Sequence, residues 1–497
     1  MLSSLAIFAY SSLILPTLSA PTSSQNGLVV QTSSGEIHGF INQTAPDVLQ
    51  FLGVPYAKAP VGNLRFAAPQ TATKASSAIQ ATAFPPSCMQ VVTNRSSIYN
   101  HAVPEFAING GQSEDCLYLS IWAPANPTSE SLPVFVYIPG GGYVSGGENS
   151  LYKIPDQWVQ KTQSHIMVVM NYRLNVFGYP NAKAITTDKN PGLLDQRKAV
   201  EWVYQNIASF NGDPERLTLW GQSAGAASVD NYAYAYPTDP IVKGLILDSG
   251  SSFLLRSTDS SQTNFTALAG MVGCKNLKPT AELKCMRKVS ATAIANALSD
   301  YSNSGATPAL SFVPVPDNVT AFANPEDRAL KGLGTKLPAI IGSNTNEGAG
   351  FLPFSEAGPG AAALFSATQN IIACPVAQEV RTRGEAGLTT YRYQYAGNFT
   401  NISPVPWMGA FHSSELPLLF DTHFQYRGNS TPFEYEMADT MQALWLSFAN
   451  NSAKAPSVGD LTWPEYEAGK DSMLLFAKGD VATQLASGEV IDGSCTL

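Results

Sequence analysis

A serine set between glycines, Gly221-Gln222-Ser223-Ala224-Gly225, is the first feature of this chain that could do chemistry. The pattern G-x-S-x-G arises easily by chance among 39 glycines, so its setting decides what it is. Before it, Arg216-Leu217-Thr218-Leu219-Trp220 reads as a buried strand, and after it Ala224 to Val229 is small enough to open a tightly packed helix. Strand, sharp turn and helix together make a nucleophile elbow. The turn lifts the serine hydroxyl clear of the sheet, and the flanking glycines leave room for the backbone on either side. An ordinary glycine-bounded turn would share the pattern, so the reading needs the serine's partners.

A serine hydroxyl is a weak nucleophile until an imidazole takes its proton, and behind an elbow the acid and the histidine follow in that order. Of five histidines, His38, His101 and His165 precede Ser223, which leaves His412 and His423. His412 lies in Gly409-Ala410-Phe411-His412, a small-residue loop after the strand expected at Tyr391–Tyr395. The acid belongs between, at the end of a strand, and Pro338 to Asn344 is such a strand with Glu347 following it. A carboxylate there would fix the imidazole tautomer and stabilise the imidazolium; its alternative is an ordinary surface-loop role. A fourth element is the apolar strand Val134 to Ile138 running into Pro139-Gly140-Gly141-Gly142, whose backbone N–H groups can approach an oxyanion without Cβ interference, joined by the Ala224 N–H. A phosphate loop is the rival reading, but no Lys-Ser/Thr pair follows these glycines.

Apolar strands alternating with helical periodicity must position these residues, the pattern of an α/β protein with a mostly parallel sheet covered on both faces. Strands are expected at Leu117–Trp122, Val134–Ile138, Ile166–Asn171, Leu217–Trp220, Gly244–Leu247, Pro338–Gly342, Tyr391–Tyr395 and Met473–Phe476. Asp195 to Ile207 reads as a helix with Val200, Val203 and Ile207 on its apolar side and charged or polar residues opposite. No repeat or internal linker divides the 497 residues, so one domain over residues 21–497 is expected.

The net charge of −9 and the lack of Lys/Arg runs argue against nucleic acid or an anionic membrane as a partner, and no stretch after the leader is apolar enough for a membrane helix. Residues 1–20 read as a secretory signal: Leu5 to Leu15 is an apolar core, and Pro16 breaks it before the small residues Ser19 and Ala20. N-glycosylation sequons, expected in an extracellular chain, begin at Asn42, Asn94, Asn264, Asn318, Asn398, Asn401, Asn429 and Asn450, with Asn429 the poorest because Pro432 follows. Six cysteines, Cys88, Cys116, Cys274, Cys285, Cys374 and Cys495, suit three disulfides in an oxidising compartment, with many pairings possible. Neither CxxC nor HExxH occurs, so no metal site is indicated.

With these residues assigned, the chain resembles the type-B carboxylesterase/lipase family from about Gly35 to Cys495. The most specific segment is Ser113-Glu114-Asp115-Cys116-Leu117-Tyr118-Leu119-Ser120, supported by Phe51 to Tyr56, Asn171-Tyr172-Arg173, Gly192 to Arg197 and Leu247 to Ser251. The resemblance implies an α/β-hydrolase fold with a small N-terminal antiparallel sheet, and ester hydrolysis through an acyl-enzyme without a cofactor. It carries the triad onto Ser223, Glu347 and His412, the oxyanion donors onto Gly141, Gly142 and Ala224, and residues supporting the histidine from behind onto Ser249 and Glu415. It pairs Cys88 with Cys116, Cys274 with Cys285 and Cys374 with Cys495, and implies buried ion pairs Arg65–Glu114 and Arg173–Asp195. The chain departs from the family at Gln222, where a glutamate is usual, and at Pro139. The substrate expected is an uncharged, short-to-medium ester. A lipase or sterol esterase acting on water-insoluble esters is the alternative, and a non-catalytic adhesion-type ectodomain the rival from another class.

Overall fold

A computed structural model describes residues 27–254 and 256–495, so the leader expected over residues 1–20 lies outside them. Eleven strands form the main sheet: β1 (Phe40–Asn42), β2 (Ala45–Pro55), β3 (Tyr118–Pro124), β4 (Leu132–Ile138), β5 (Ile166–Met170), β6 (Gly212–Gln222), β7 (Gly244–Asp248), β8 (Ala339–Asn344), β9 (Thr390–Tyr395), β10 (Asp471–Lys478) and β11 (Val481–Ser487). Their spatial order is 11-10-9-8-7-6-4-5-3-2-1. The block from β5 through β10 is parallel. Both flanks are antiparallel.

All eight expected strands are present, each within a few residues of its expected bounds except β6, which begins at Gly212. Two strands had little signal. β2 holds Pro46, Gly53 and Pro55, and its pairing with β3 shifts register between Phe51 and Val54, so alternation is interrupted. β11 is a half-exposed edge, with no apolar face to read. The small N-terminal sheet pairs Val29–Thr32 with Gly35–His38 antiparallel, as expected, but its third strand, Ile79–Gln80, adds parallel.

The pleat sorts the core into two layers. Val134, Val136 and Ile138 of β4, with Val168 of β5 and Leu219 of β6, face one side. Phe135, Tyr137, Val169, Trp220, Tyr391, Tyr393 and Tyr395 face the other. Helices α1 (Asp156–Thr162), α2 (Pro191–Asn206), α3 (Ala224–Ala235) and α4 (Pro432–Asn450) cover these faces. Val200 and Val203 of α2 and Val229 of α3 pack on the aliphatic side, and Trp158 of α1 with Met441, Trp445 and Phe448 of α4 on the aromatic side. Thr431 and Glu434 form a reciprocal capping box at the start of α4, with Pro432 at its first position. Among the described residues no helix is long and apolar enough to cross a membrane.

The three disulfides join Cys88 to Cys116, Cys274 to Cys285 and Cys374 to Cys495. Among the sequons, Asn401 is a correction. Its side chain is buried and donates to the His423 carbonyl and Ser430 Oγ, so it is no surface acceptor, whereas Asn429 is exposed. Asn264 is half-buried, its amide bonded to the Ser311 carbonyl. In helix α2, Asp195 is buried as the expected ion pair requires, accepting from Arg173 Nε and Nη2 at 2.7 Å each. That pair fastens the segment after β5 to α2. Removing one partner of a buried ion pair strands the other, at a cost of about 3–5 kcal/mol. Asp195→Asn is therefore expected to lower unfolding free energy by about that amount in urea titrations. A loss under about 1 kcal/mol would show that the pair does not hold this junction.

Candidate active site

Ser223 stands between β6 and α3 with φ 59° and ψ −123°, a backbone conformation that non-glycine residues rarely adopt. Its N–H donates to the Asp248 carbonyl at 2.8 Å, and its carbonyl accepts from Ala227 N–H at 2.9 Å, so the strained turn is tied at both ends. The glycines on either side are steric necessities. A Cβ on Gly221 would lie 2.3 Å from the Gly225 backbone, and one on Gly225 would lie 2.0 Å from the Ile138 carbonyl oxygen. The elbow is thus packed directly on the end of β4, where Pro139-Gly140-Gly141-Gly142 begins. Among the described residues no protein acceptor takes the N–H of Gly141 or Gly142. The Ala224 N–H opens α3 and has no partner within the helix.

The two remaining residues come from the ends of β8 and β9. Glu347 opens a short 3-10 turn after β8 and is fully buried, not a surface-loop carboxylate. Its Oε2 lies 2.5 Å from His412 Nδ1. Its Oε1 accepts from Ser249 Oγ at 2.6 Å and from Asn344 N–H at 2.7 Å. Three donors thus hold one carboxylate, which fixes its direction. The loop carrying His412 is pinned by asparagines. Asn344 Nδ2 donates to the Phe411 carbonyl at 2.8 Å and also to Glu415, while Asn346 Nδ2 reaches the carbonyls of Trp407 and Met408. Ser249 therefore acts on the glutamate, and Glu415 acts on the histidine loop through Asn344. His423 is elsewhere, its Nδ1 on Ser430 Oγ at 2.6 Å.

Ser223 is 6% exposed and His412 4%, so both side chains are almost wholly buried. His412 Nε2 is met by Gln222 Nε2 at 3.1 Å, and no hydrogen bond joins it to Ser223 Oγ. Phe351 is 40% exposed with its ring centroid 4.7 Å from that of His412, forming an apolar wall. Tyr99, inside the Cys88–Cys116 loop, donates its hydroxyl to the His412 carbonyl at 2.6 Å. Gly350 makes this possible, because a Cβ there would lie 2.7 Å from both the Tyr99 hydroxyl and His412 Cβ. Tyr99, Asn344 and Asp248 were not marked by the sequence. Each is an ordinary residue type in an ordinary element, and only long-range contact gives it a role.

Strands, elbow, glycine turn and the paired Glu347 and His412 together describe an α/β-hydrolase. The Carboxylesterase family model matches residues 26–363 and 356–489. The chain is 54% identical to the chlorogenic acid esterase of Aspergillus niger over 94% of each chain, and 40% identical to secreted lipase 5 of Gibberella zeae, again over 94% of each. It is 27% identical to the acetylcholinesterase of Bungarus fasciatus, over 92% of this chain and 84% of that one. The chain belongs to the carboxylesterase family and is a carboxylic ester hydrolase.

Buried carboxyls surround the site. Asp248, at the end of β7, is pushed up to about 7 by burial, against the opposing hydrogen bonds from Trp220 and Tyr393. Glu415 is raised well above its ordinary value, by burial and then by Asp248 and Glu347. Glu148, on the segment after the glycine turn, is fully buried and pushed up to about 8 by burial. In each, burial favours the protonated form in the folded chain, whereas the unfolded chain releases its proton near the ordinary value of 3.8 or 4.5. Their stabilising contribution is therefore full below those values and lost as pH rises through the folded ones. His165 works the other way, since burial lowers it from 6.5 to about 3, but its effect sets in only below its ordinary value. Unfolding free energy is therefore expected to fall between pH 6.5 and pH 8. Glu148→Gln, which replaces the protonated acid by a neutral isostere, should flatten that fall by roughly 1–2 kcal/mol. Parallel pH–stability curves for wild type and mutant would contradict the assignment.

Proposed function

We propose that Ser223 is the nucleophile, His412 the general base and then acid, and Glu347 the residue that orients the imidazole, with Gly141, Gly142 and Ala224 N–H groups as the oxyanion hole. The observation that carries this reading is the 2.5 Å contact between Glu347 Oε2 and His412 Nδ1, at the mouth of an elbow whose serine is held in a strained conformation. The Ser223 hydroxyl attacks the ester carbonyl as its proton passes to His412 Nε2. The tetrahedral oxyanion is held by the backbone N–H groups, and its collapse expels the alcohol, which takes the proton from Nε2. Water then repeats the sequence on the acyl-enzyme and releases the acid. A chain that keeps all three residues argues against a non-catalytic adhesion ectodomain.

Ser223→Ala is expected to lower kcat by more than about a thousandfold while leaving the far-UV spectrum unchanged, and His412→Gln to do comparable damage. An organophosphate should label Ser223 alone. His423→Gln is expected to disturb stability and not turnover; if it abolishes turnover while His412→Gln does not, the wrong histidine is assigned here.

The substrate class we infer is an uncharged ester of short to medium size, on a protein exported through the leader at residues 1–20. Three disulfides support export. A choline ester is poorly served. Phe106, the ring in the first disulfide loop nearest by spacing to the family's cation-binding tryptophan, is buried, 4.8 Å from Tyr152 and 5.7 Å from Phe411, so little of it can meet a ligand. Position 350, where relatives carry an aromatic, has no room for one beside Tyr99. Gln222 brings no charge. Losing these contacts removes about 2 kcal/mol, roughly thirtyfold in affinity. Comparing kcat/KM for butyrylthiocholine and an uncharged butyrate thioester should favour the uncharged one, with p-nitrophenyl butyrate hydrolysed faster than emulsified triglyceride. A clear preference for the choline ester would refute the first part, and a preference for the emulsion would favour the lipase reading.

A further inference from the structure

Gln222 bridges the two halves of the site. Its Nε2 lies 3.1 Å from His412 Nε2, and its Oε1 lies against the glycine turn, 2.9 Å from where a Cβ on Gly140 would stand. The side chain is 3% exposed, so its conformation is set by packing. A carboxamide nitrogen can only donate, so the histidine nitrogen facing it must accept. The ring proton is then on Nδ1, directed at Glu347. The other groups around the ring agree with this arrangement. Glu347 comes from the turn after β8, and Glu415 and Asp248 lie behind it. The Tyr99 hydroxyl is spent on the His412 carbonyl, and Phe351 covers the ring. Among the described residues, the Gln222 amide is the only protein donor that meets Nε2.

We propose that Gln222 is a positioning residue for the base: in the free enzyme its amide occupies the His412 Nε2 lone pair, holding the neutral Nδ1–H tautomer, and it gives way to the Ser223 hydroxyl when an ester enters. This rests on the reading of Ser223 and His412 as nucleophile and base. An amide donated to Nε2 opposes protonation of the ring, because the proton would have to displace it. A side chain without a donor removes that opposition, and a carboxylate reverses it by accepting from the protonated ring.

The test is the pH dependence of kcat/KM for p-nitrophenyl butyrate in wild type, Gln222→Met and Gln222→Glu, since this profile reports the free enzyme. Its acid limb is expected to move to higher pH by about half a unit in the methionine variant and by about one unit or more in the glutamate variant. A structural role alone would lower the curve without moving the limb. Limbs that superimpose on wild type in either variant, with thermal unfolding confirming a folded protein, overturn the proposal. Should the methionine variant not fold, the near-isosteric glutamate variant decides alone. His412→Gln assayed in parallel separates the two ideas. If it stays active, the triad reading fails; if it is inactive and the limbs do not move, only the role of Gln222 fails.

Discussion

The structure around the site depends on one buried hydrogen bond, Glu347 to His412 Nδ1. Burying a carboxylate in an apolar sheet end is costly unless its lone pairs are filled. Here they are filled from three separate elements: Ser249 after β7, the Asn344 backbone at the end of β8, and the imidazole on the loop after β9. Satisfying that one group therefore fixes the relative positions of three successive strand ends. The histidine loop has no regular structure of its own and takes its shape from Asn344, Asn346 and Tyr99, which hold it through its carbonyl oxygens. The loop is thus anchored from the end of β8, from the turn that follows it and from the Cys88–Cys116 loop.

The two layers of the sheet divide this work. The aliphatic face, with small Ala226 and Ala227 on α3, allows the elbow helix to lie close to β4 and β6. The aromatic face supplies polar tips as well as bulk. Trp220 and Tyr393 send their N–H and O–H to the Asp248 carboxyl, whose backbone carbonyl in turn holds the Ser223 N–H. Large aromatic residues are useful here because they fill the layer and still reach a hydrogen-bonding partner. The strain at Ser223 is sustained by this packing on both sides of the sheet and not by the turn alone.

How much of this was legible in the sequence follows from how local each signal is. The parallel core strands, the elbow and the glycine turn are written in contiguous residues, where apolar runs and glycines have direct conformational meaning. Glu347 and His412 could be found because chain order and strand ends narrow the choice. Asn344, Tyr99 and Asp248 could not, since an asparagine, a tyrosine and an aspartate acquire roles only when residues far apart in the chain meet. The burial of Asn401 was hidden for the same reason: its sequon is local, but its partners, the His423 carbonyl and Ser430, are not. Strand β2 escaped because two prolines and a register shift interrupt its alternation.

The Cys88–Cys116 loop turns its aromatic rings to the protein: Phe106 is buried and Tyr99 half-buried. Phe106 packs on Tyr152 and Phe411, and Tyr99 packs on Phe106 and Phe411 while its hydroxyl holds the histidine loop. With Gly350 obliged to stay small beside Tyr99, the wall next to the base falls to Phe351, one residue later and partly exposed. Around His412 the groups left are the neutral Gln222 amide and the Phe351 ring.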